Sequence, residues 1–306
     1  MNLEIFILCH NRPELAREAI QSVLQQDSPA YRLIISDNSS NDDVQKMVKT
    51  NFPSLEFRRR SSNLPALSHF NTCIGEAKAN YFCLFHDDDI MFDSFVAEVH
   101  KSLASHPEAT SIGTNACIKN SKETRKNISF LCFGSFEKIA SAPDLFRRYF
   151  GRYHTGIAPF PGYIYKTAAI GDARISVEGG KYADVRWLLT VASMGEMIWI
   201  AKPLFEYRIH GGNDSLQESP SDRLRLLTFL KKNRILCGND GLSDYRYFLY
   251  KKLVISLAGD NFSNRLKTIN KFMNKHRISR LLRGRDYFFM IKRAILKRFT
   301  IQGDCL

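Results

Sequence analysis

The chain has no two cysteines at the close C-x-x-C spacing of a zinc or dithiol redox site. Its seven, Cys9, Cys73, Cys83, Cys117, Cys132, Cys237 and Cys305, are scattered, and several lie inside apolar runs. Such thiols behave as small core residues, and an odd, dispersed set fits a reducing compartment. No G-x-G-x-x-G follows the first apolar run, where Cys9-His10-Asn11-Arg12 stands instead, and no G-x-x-x-x-G-K-[ST] occurs. A dinucleotide-dependent oxidoreductase and a P-loop enzyme are thereby disfavoured. No uncharged apolar stretch is long enough to span a bilayer. The first residues enter a strand-like run, Leu3 to Cys9, without a basic n-region, so no secretory signal is expected. There is no internal repeat, no low-complexity tract and no nucleic-acid recognition motif. The expected location is the cytoplasm, or the cytoplasmic face of the membrane as a peripheral protein.

What is present is ordinary globular composition, with 44% hydrophobic and 25% charged residues in 306 positions. The net charge of +13 is unevenly spread. Residues 221–306 hold 20 Lys and Arg against 6 Asp and Glu, whereas residues 1–220 hold 24 against 25. A basic appendage on a near-neutral domain suggests a polyanionic partner, either an anionic membrane surface or a nucleic acid. Two regions are expected: a domain over 1–218 and a helical basic region over 219–306.

Along the chain, apolar runs alternate with amphipathic ones. Leu3–Cys9 reads as a buried strand. Asn11 is an expected N-cap, with Pro13 in the first helical turn and Ala16, Ile20, Val23 and Leu24 at helical spacing. Residues 31–36 form a second strand ending at Asp37-Asn38-Ser39-Ser40, and Asp42 and Asp43 open the next helix. A short strand at 55–57, a helix over 67–79 and a fourth strand over 81–85 follow, the last stopping at Asp87-Asp88-Asp89. Residues 187–194 read as helix and 197–201 as strand. This alternation predicts a doubly wound, mostly parallel α/β sheet flanked by helices. Ligands of such sheets bind at the carboxyl ends of the strands. Cys9-His10-Asn11, Asp37-Asn38-Ser39 and Asp87-Asp88-Asp89 each sit just past a strand, so all three should meet on one rim.

Three adjacent aspartates repel one another unless a cation sits among them. Mg²⁺ or Mn²⁺ takes carboxylate and phosphate oxygens together and neutralises a departing diphosphate. A solvated acidic turn capping the next helix is the competing reading. For Asp37-Asn38-Ser39-Ser40 the competitor is an Asx-type turn.

Residues 1–213 resemble glycosyltransferase family 2, the inverting enzymes of GT-A (Rossmann-like) fold common in bacterial polysaccharide synthesis. The resemblance rests on segments 5–26, 34–40 and 84–89, on Asn63 and Asn71, on Tyr182-Ala183-Asp184-Val185-Arg186-Trp187-Leu188, and on Tyr207-Arg208-Ile209-His210. It implies transfer of a sugar, from a UDP-hexose first of all, to a saccharide or lipid-linked saccharide acceptor in surface polysaccharide or O-antigen synthesis, with Mn²⁺ or Mg²⁺ as cofactor. By the same resemblance the donor nucleotide contacts Cys9, His10, Asn11, Arg12, Asp37, Asn38, Asn63, Asn71 and Asp87, with Asp37 on the base. Asp88, Asp89 and His210 face the metal, and Asp184 is the general base on the acceptor hydroxyl. Three positions depart from the family pattern. Ala183 stands where the family has Glu in a Glu-Asp pair, His86 takes the first place of Asp-x-Asp-Asp, and Pro65 replaces a Gly. Asp184 and His210 keep competing readings as a helix cap and a loop histidine.

In the tail, Leu281, Phe288, Ile291, Ile295 and Phe299 recur at helical spacing among Arg283, Arg285, Lys292, Arg293, Lys297 and Arg298. That pattern suits an interfacial helix on an anionic membrane over 281–299, or a helix packed on the domain. The alternatives to an enzyme are a non-catalytic nucleotide-sugar-binding relative, given Ala183, and a nucleic-acid-binding protein using the basic tail. No nucleic acid is expected, because the charge is confined to the tail and no motif accompanies it.

Overall fold

The computed structural model describes residues 2–61, 63–120, 127–128, 134–151, 160–211, 219–256 and 274. Segment 281–299 lies outside them. The amino-terminal part runs β1 (Leu3–Cys9), α1 (Pro13–Leu24), β2 (Arg32–Asp37), α2 (Asp43–Asn51), β3 (Glu56–Arg59), α3 (Ala66–Glu76), β4 (Tyr81–His86), β5 (Ile90–Met91) and α4 (Phe95–Ser105). There follow β6 (Ser111–Asn120), β7 (Asn127–Ile128), β8 (Phe136–Ile139), α5 (Ala142–Phe150), β9 (Tyr163–Lys166), α6 (Thr167–Ile170), α7 (Ala183–Met194), β10 (Met197–Ile209), α8 (Pro220–Lys232) and α9 (Gly238–Ser256).

The strands form one sheet in the order β3-β2-β1-β4-β9-β6-β10-β5, with β7 on β6 and β8 on β10. Strands β3, β2, β1 and β4 are parallel neighbours, and β6 and β10 pair in parallel over ten positions. Short antiparallel pairings attach β9, β5, β7 and β8.

Helices cover both faces, so the central strands are apolar on both sides rather than alternating. All seven residues of β1 are buried. Ile5 and Ile7 face a layer with Ala16, Ile20 and Val23 of α1 and Phe95 and Val99 of α4. Phe6 and Leu8 face the other, with Cys73 and Ile74 of α3, Phe146 of α5 and Trp187 of α7. Each such large side chain contributes about 1.5–3 kcal/mol relative to exposure. Helices α8 and α9 add Leu226, Leu230, Tyr245 and Leu249 to this second layer. Cys9, Cys73 and Cys83 are buried thiols, as their apolar settings predict. The one acidic residue inside β1, Glu4, is compensated by Arg32 at 3.0 Å and by the N–H groups of Lys78 and Ala79 at 2.7 and 3.1 Å.

Two local expectations shift. The cap of α1 falls on Arg12, one residue beyond Asn11, and makes no side-chain cap bond. The reason is that Asn11 adopts φ 54, a left-handed conformation that Asn tolerates better than most residues, and its side chain turns to Ser40 instead. Similarly, α7 begins at Ala183 with Tyr182 at the cap position, so Asp184 lies in the first turn rather than capping it.

Candidate active site at the carboxyl edge of the sheet

Parallel pairing aligns the ends of three strands. Cys9 of β1 lies opposite Asp37 of β2, and Leu8 lies opposite His86 of β4. The turns that follow are therefore neighbours, and hydrogen bonds lace them together. Asn38 donates its N–H to the Cys9 carbonyl at 3.0 Å, and the Asn11 N–H reaches Ser39 Oγ at 2.8 Å. Asn11 Oδ1 accepts the Ser40 N–H at 2.9 Å, and His10 Nδ1 pairs with the Asn38 carbonyl at 2.9 Å. The His10 N–H donates to Asp87 Oδ2 at 2.9 Å. The expected convergence of the three polar clusters on one rim is what the fold produces.

Asp37 is fully buried. Its Oδ1 accepts from the Ser39 N–H at 2.9 Å and from Ser39 Oγ, and its Oδ2 accepts from Arg59. The Asn38 side chain clamps both backbone groups of Leu64 at 2.8 Å, which fixes the loop carrying the exposed Asn63. Asn71 does the same for Ile175, with 2.7 and 2.9 Å bonds, and so ties α3 to the segment that leads into α7.

The acidic turn after β4 is buried, not solvated. Asp87 and Asp89 are fully buried and Asp88 nearly so. Arg12 donates to both Asp87 and Asp88. Burial pushes the Asp87 carboxyl up to about 7 in spite of that guanidinium. At Asp88 burial acts in the same direction, but His86, Arg12 and His210 outweigh it and hold the carboxyl below its usual range. Asp89 is raised well above that range by burial and by the Asp88 charge. Strand β10 closes the site from the far side. The Arg208 N–H donates to Asp89 Oδ1 at 2.9 Å, the Arg208 side chain reaches the Asp88 carbonyl and Glu18, and His210 Nε2 meets Asp88 Oδ2 at 3.0 Å.

One donor group in His86, Asp88 and Asp89 each lies within 4.8 Å of the others, which is the spacing a metal ion needs. Asp89 Oδ2 and His86 Nε2 are buried without a hydrogen-bond partner. Orphaned donor atoms of this kind fit a cation that supplies the missing interaction. His210 stands one bond behind Asp88. His86 and Arg208 are the residues that sequence reasoning did not nominate. His86 carried a signal, since it occupies the first place of the acidic motif. Arg208 acts through its backbone N–H as well as its side chain, and a sequence carries no mark of that.

Asp184 is on a different element. Its Oδ1 accepts the Val185 N–H at 2.8 Å, and burial raises its carboxyl to about 6. Burial also raises the phenols of Tyr163 and Tyr165 on β9, and the nearby Asp184 charge adds to both shifts. Strand β9 pairs with β4, and Phe160 just ahead of β9 lies 6.0 Å from the His86 ring. Glu178 in the preceding segment is exposed and 3.7 Å from Arg186.

A doubly wound sheet with a buried acidic turn at its carboxyl edge is the GT-A architecture. The chain belongs to glycosyl transferase family 2, whose profile matches residues 4–167. The fold is similar to S. aureus TarS 1–349, with a TM-score of 0.63 at 14% identity over 92% of this chain and 83% of that one. For the same fragment in complex with UDP-GlcNAc the values are 0.55 and 12%, over 90% and 72%. The mannosyltransferase PcManGT from Pyrobaculum calidifontis, in complex with GDP-Man and Mn²⁺, gives 0.53 and 14%, over 97% and 81%. At these identities the likeness establishes the fold. No curated protein sequence matches the chain. Among the described residues, no helix is long and apolar enough to cross a membrane.

Proposed function

We propose that this glycosyltransferase moves a hexosyl group with inversion from a nucleotide-sugar, UDP-linked in the first instance, to a saccharide or lipid-linked saccharide acceptor. Surface polysaccharide or O-antigen synthesis is the pathway class we assign. The observation that carries the reading is the meeting of Asp37, Arg12 and the buried Asp87-Asp88-Asp89 turn at one sheet edge. Asp37, Asn38 and the 10–12 turn take the nucleoside, with Asn63 at the loop above it, while Asp87 and Arg12 lie toward the ribose and diphosphate. His86, Asp88 and Asp89 would hold Mn²⁺ or Mg²⁺, with His210 and Arg208 steadying the two aspartates. Such an ion supplies charge neutralisation to the leaving diphosphate.

The acceptor hydroxyl attacks C1 of the sugar from the face opposite the diphosphate. The new C1–O bond forms as the bond to the phosphate oxygen breaks, the electron pair leaves with the nucleoside diphosphate, and the hydroxyl proton passes to Asp184. A carboxyl raised to about 6 is ionised at neutral pH yet basic enough to accept that proton, which supports Asp184 as the base. The anionic membrane surface remains part of the proposal through segment 281–299. The second reading, a non-catalytic nucleotide-sugar-binding relative, is favoured by Ala183 in place of the family's Glu.

The test is calorimetry with UDP and Mn²⁺ on the wild type and on Asp88→Ala. Metal-dependent UDP binding should vanish in the variant while the circular dichroism spectrum is kept. Unchanged affinity would remove the acidic turn from the donor site.

A further inference from the structure

The geometry points to His86 as a nitrogen ligand that biases the acidic turn toward later first-row ions such as Co²⁺ over Mg²⁺. This inference rests on the metal reading of the acidic turn given above.

Side chains alternate along β4. Phe82 and Leu84 enter the layer shared with α3, α5 and α7, whereas Cys83 and Phe85 enter the opposite layer. By the same alternation His86 follows Leu84 and Asp87 follows Phe85. The two positions consequently meet different partners. Asp87 is taken by Arg12 and by the His10 N–H. His86 is flanked by aromatic rings, Phe70 at 5.7 Å and Phe160 at 6.0 Å between centroids, each tilted by about 30°. These rings hold the imidazole without offering it a hydrogen bond, and Nε2 is buried with no partner. The tight turn at 87–89 then brings Asp88 and Asp89 back beside the strand end, so that His86, Asp88 and Asp89 form the trio of donors within 4.8 Å. Asp89 contributes an orphan of its own, because Oδ1 is committed to the Arg208 N–H and Oδ2 is buried and unpaired.

The second histidine at the site is differently placed. His210 Nε2 is engaged by Asp88 Oδ2 at 3.0 Å, which makes it an orienting partner of a ligand rather than a ligand. A donor set of one imidazole and two carboxylates is softer than an all-oxygen set. Imidazole suits Zn, Cu, Fe and Ni, carboxylates alone suit Mg, Ca and Mn, and divalent affinity rises from Mn²⁺ to Co²⁺ along the first row. At the first place of the acidic motif, His86 thus offers a nitrogen where an aspartate would offer oxygen.

The experiment uses the full chain and the free ions. Mn²⁺ is bound first without UDP, in a buffer lacking amines, so that no uracil or buffer nitrogen contributes, and then with UDP. Pulsed EPR should detect a ¹⁴N coupling to the bound Mn²⁺ in the wild type and in His210→Gln. The coupling should be absent from His86→Asp and from His86→Gln, the latter guarding against misfolding of the charged variant, with circular dichroism checked for both. Calorimetry with Co²⁺ and Mg²⁺ should show the Co²⁺ preference of the wild type falling by about tenfold or more in His86→Asp. Loss of a mere supporting partner already weakens metal binding by roughly 10–100-fold, and a ligand should matter no less. Mn²⁺ bound with no nitrogen coupling overturns the inference alone, as does a coupling that survives His86→Asp or disappears with His210→Gln. A wild type that binds none of the ions, with or without UDP, overturns the metal reading together with it.

Discussion

Replacing Asp184 by Asn should slow transfer and stabilise the fold at the same time. Burial lifts the Asp184 carboxyl from an ordinary 3.8 to about 6. That is about two pH units, or roughly 3 kcal/mol at about 1.4 kcal/mol per unit. The side chain keeps some contact with solvent, so we take about 2 kcal/mol as the expected penalty that the ionised group places on the fold. The sign follows from proton linkage. A carboxyl raised in the native state binds its proton more tightly there than in the unfolded chain. Its penalty is absent below pH about 4, grows as pH rises toward 6 and is constant above. The Asn variant should therefore gain about 2 kcal/mol at pH 8 and nothing at pH 4, while its Oδ1 still accepts the Val185 N–H. Turnover should fall by roughly 10²–10⁴-fold with little change in UDP affinity, because general-base assistance is lost. The wild-type rate should decline about tenfold per pH unit below pH 6, as the base is protonated. Urea denaturation at three pH values and initial transfer rates across pH 4.5–8 read both effects. A variant that is less stable at pH 8 would mean that the carboxylate is held by a partner. Near-wild-type turnover would send the search for the base to Glu178.

Arg12→Met removes the cation shared by Asp87 and Asp88 and should cost about 3 kcal/mol at pH 8, measured by denaturation. The loss should shrink at pH 5, where the raised Asp87 carboxyl takes up a proton instead, and an equal loss at both pH values would contradict its native ionisation. Asn71→Ala breaks two bonds to Ile175 and should lower stability by about 1–2 kcal/mol without altering UDP affinity. A tenfold loss of UDP affinity would return Asn71 to the donor site. A chain ending at Ser279 should leave anionic vesicles that the full chain binds, and full-chain binding should weaken with salt. Equal retention of both proteins would remove the tail from the membrane.

Much of the architecture was legible because it rests on local chemistry. Apolar runs of strand length, Pro13 at a helix start and Asp42-Asp43 opening α2 are readable residue by residue, and alternation of such segments implies a parallel sheet. The strand-end rule then put Cys9, Asp37 and Asp87 on one rim without coordinates, since parallel strands must end on the same side. The extent of β10 was not legible. Its run to Ile209 passes Lys202 and Pro203, where its register against β6 shifts, and local propensity ends at that irregularity while pairing carries the strand through it.

Contacts between distant segments were decided by tertiary structure alone. Folding pairs Asn71 with Ile175, 104 positions away, and His210 with Asp88, and neither contact is marked in the sequence. Arg12 is assigned to Asp87 and Asp88 because β1 and β4 are neighbours in the sheet, a fact of strand order and not of spacing. The same holds for the charge states. Asp87, Asp88 and Asp89 are identical residues in a row, and nothing in the sequence distinguishes their charge states. Burial raises the first and third, while Arg12, His86 and His210 hold the second down. The composition of the site was written in the chain, and its electrostatics were set by which distant groups the fold brought within a few ångströms and how much water it left between them.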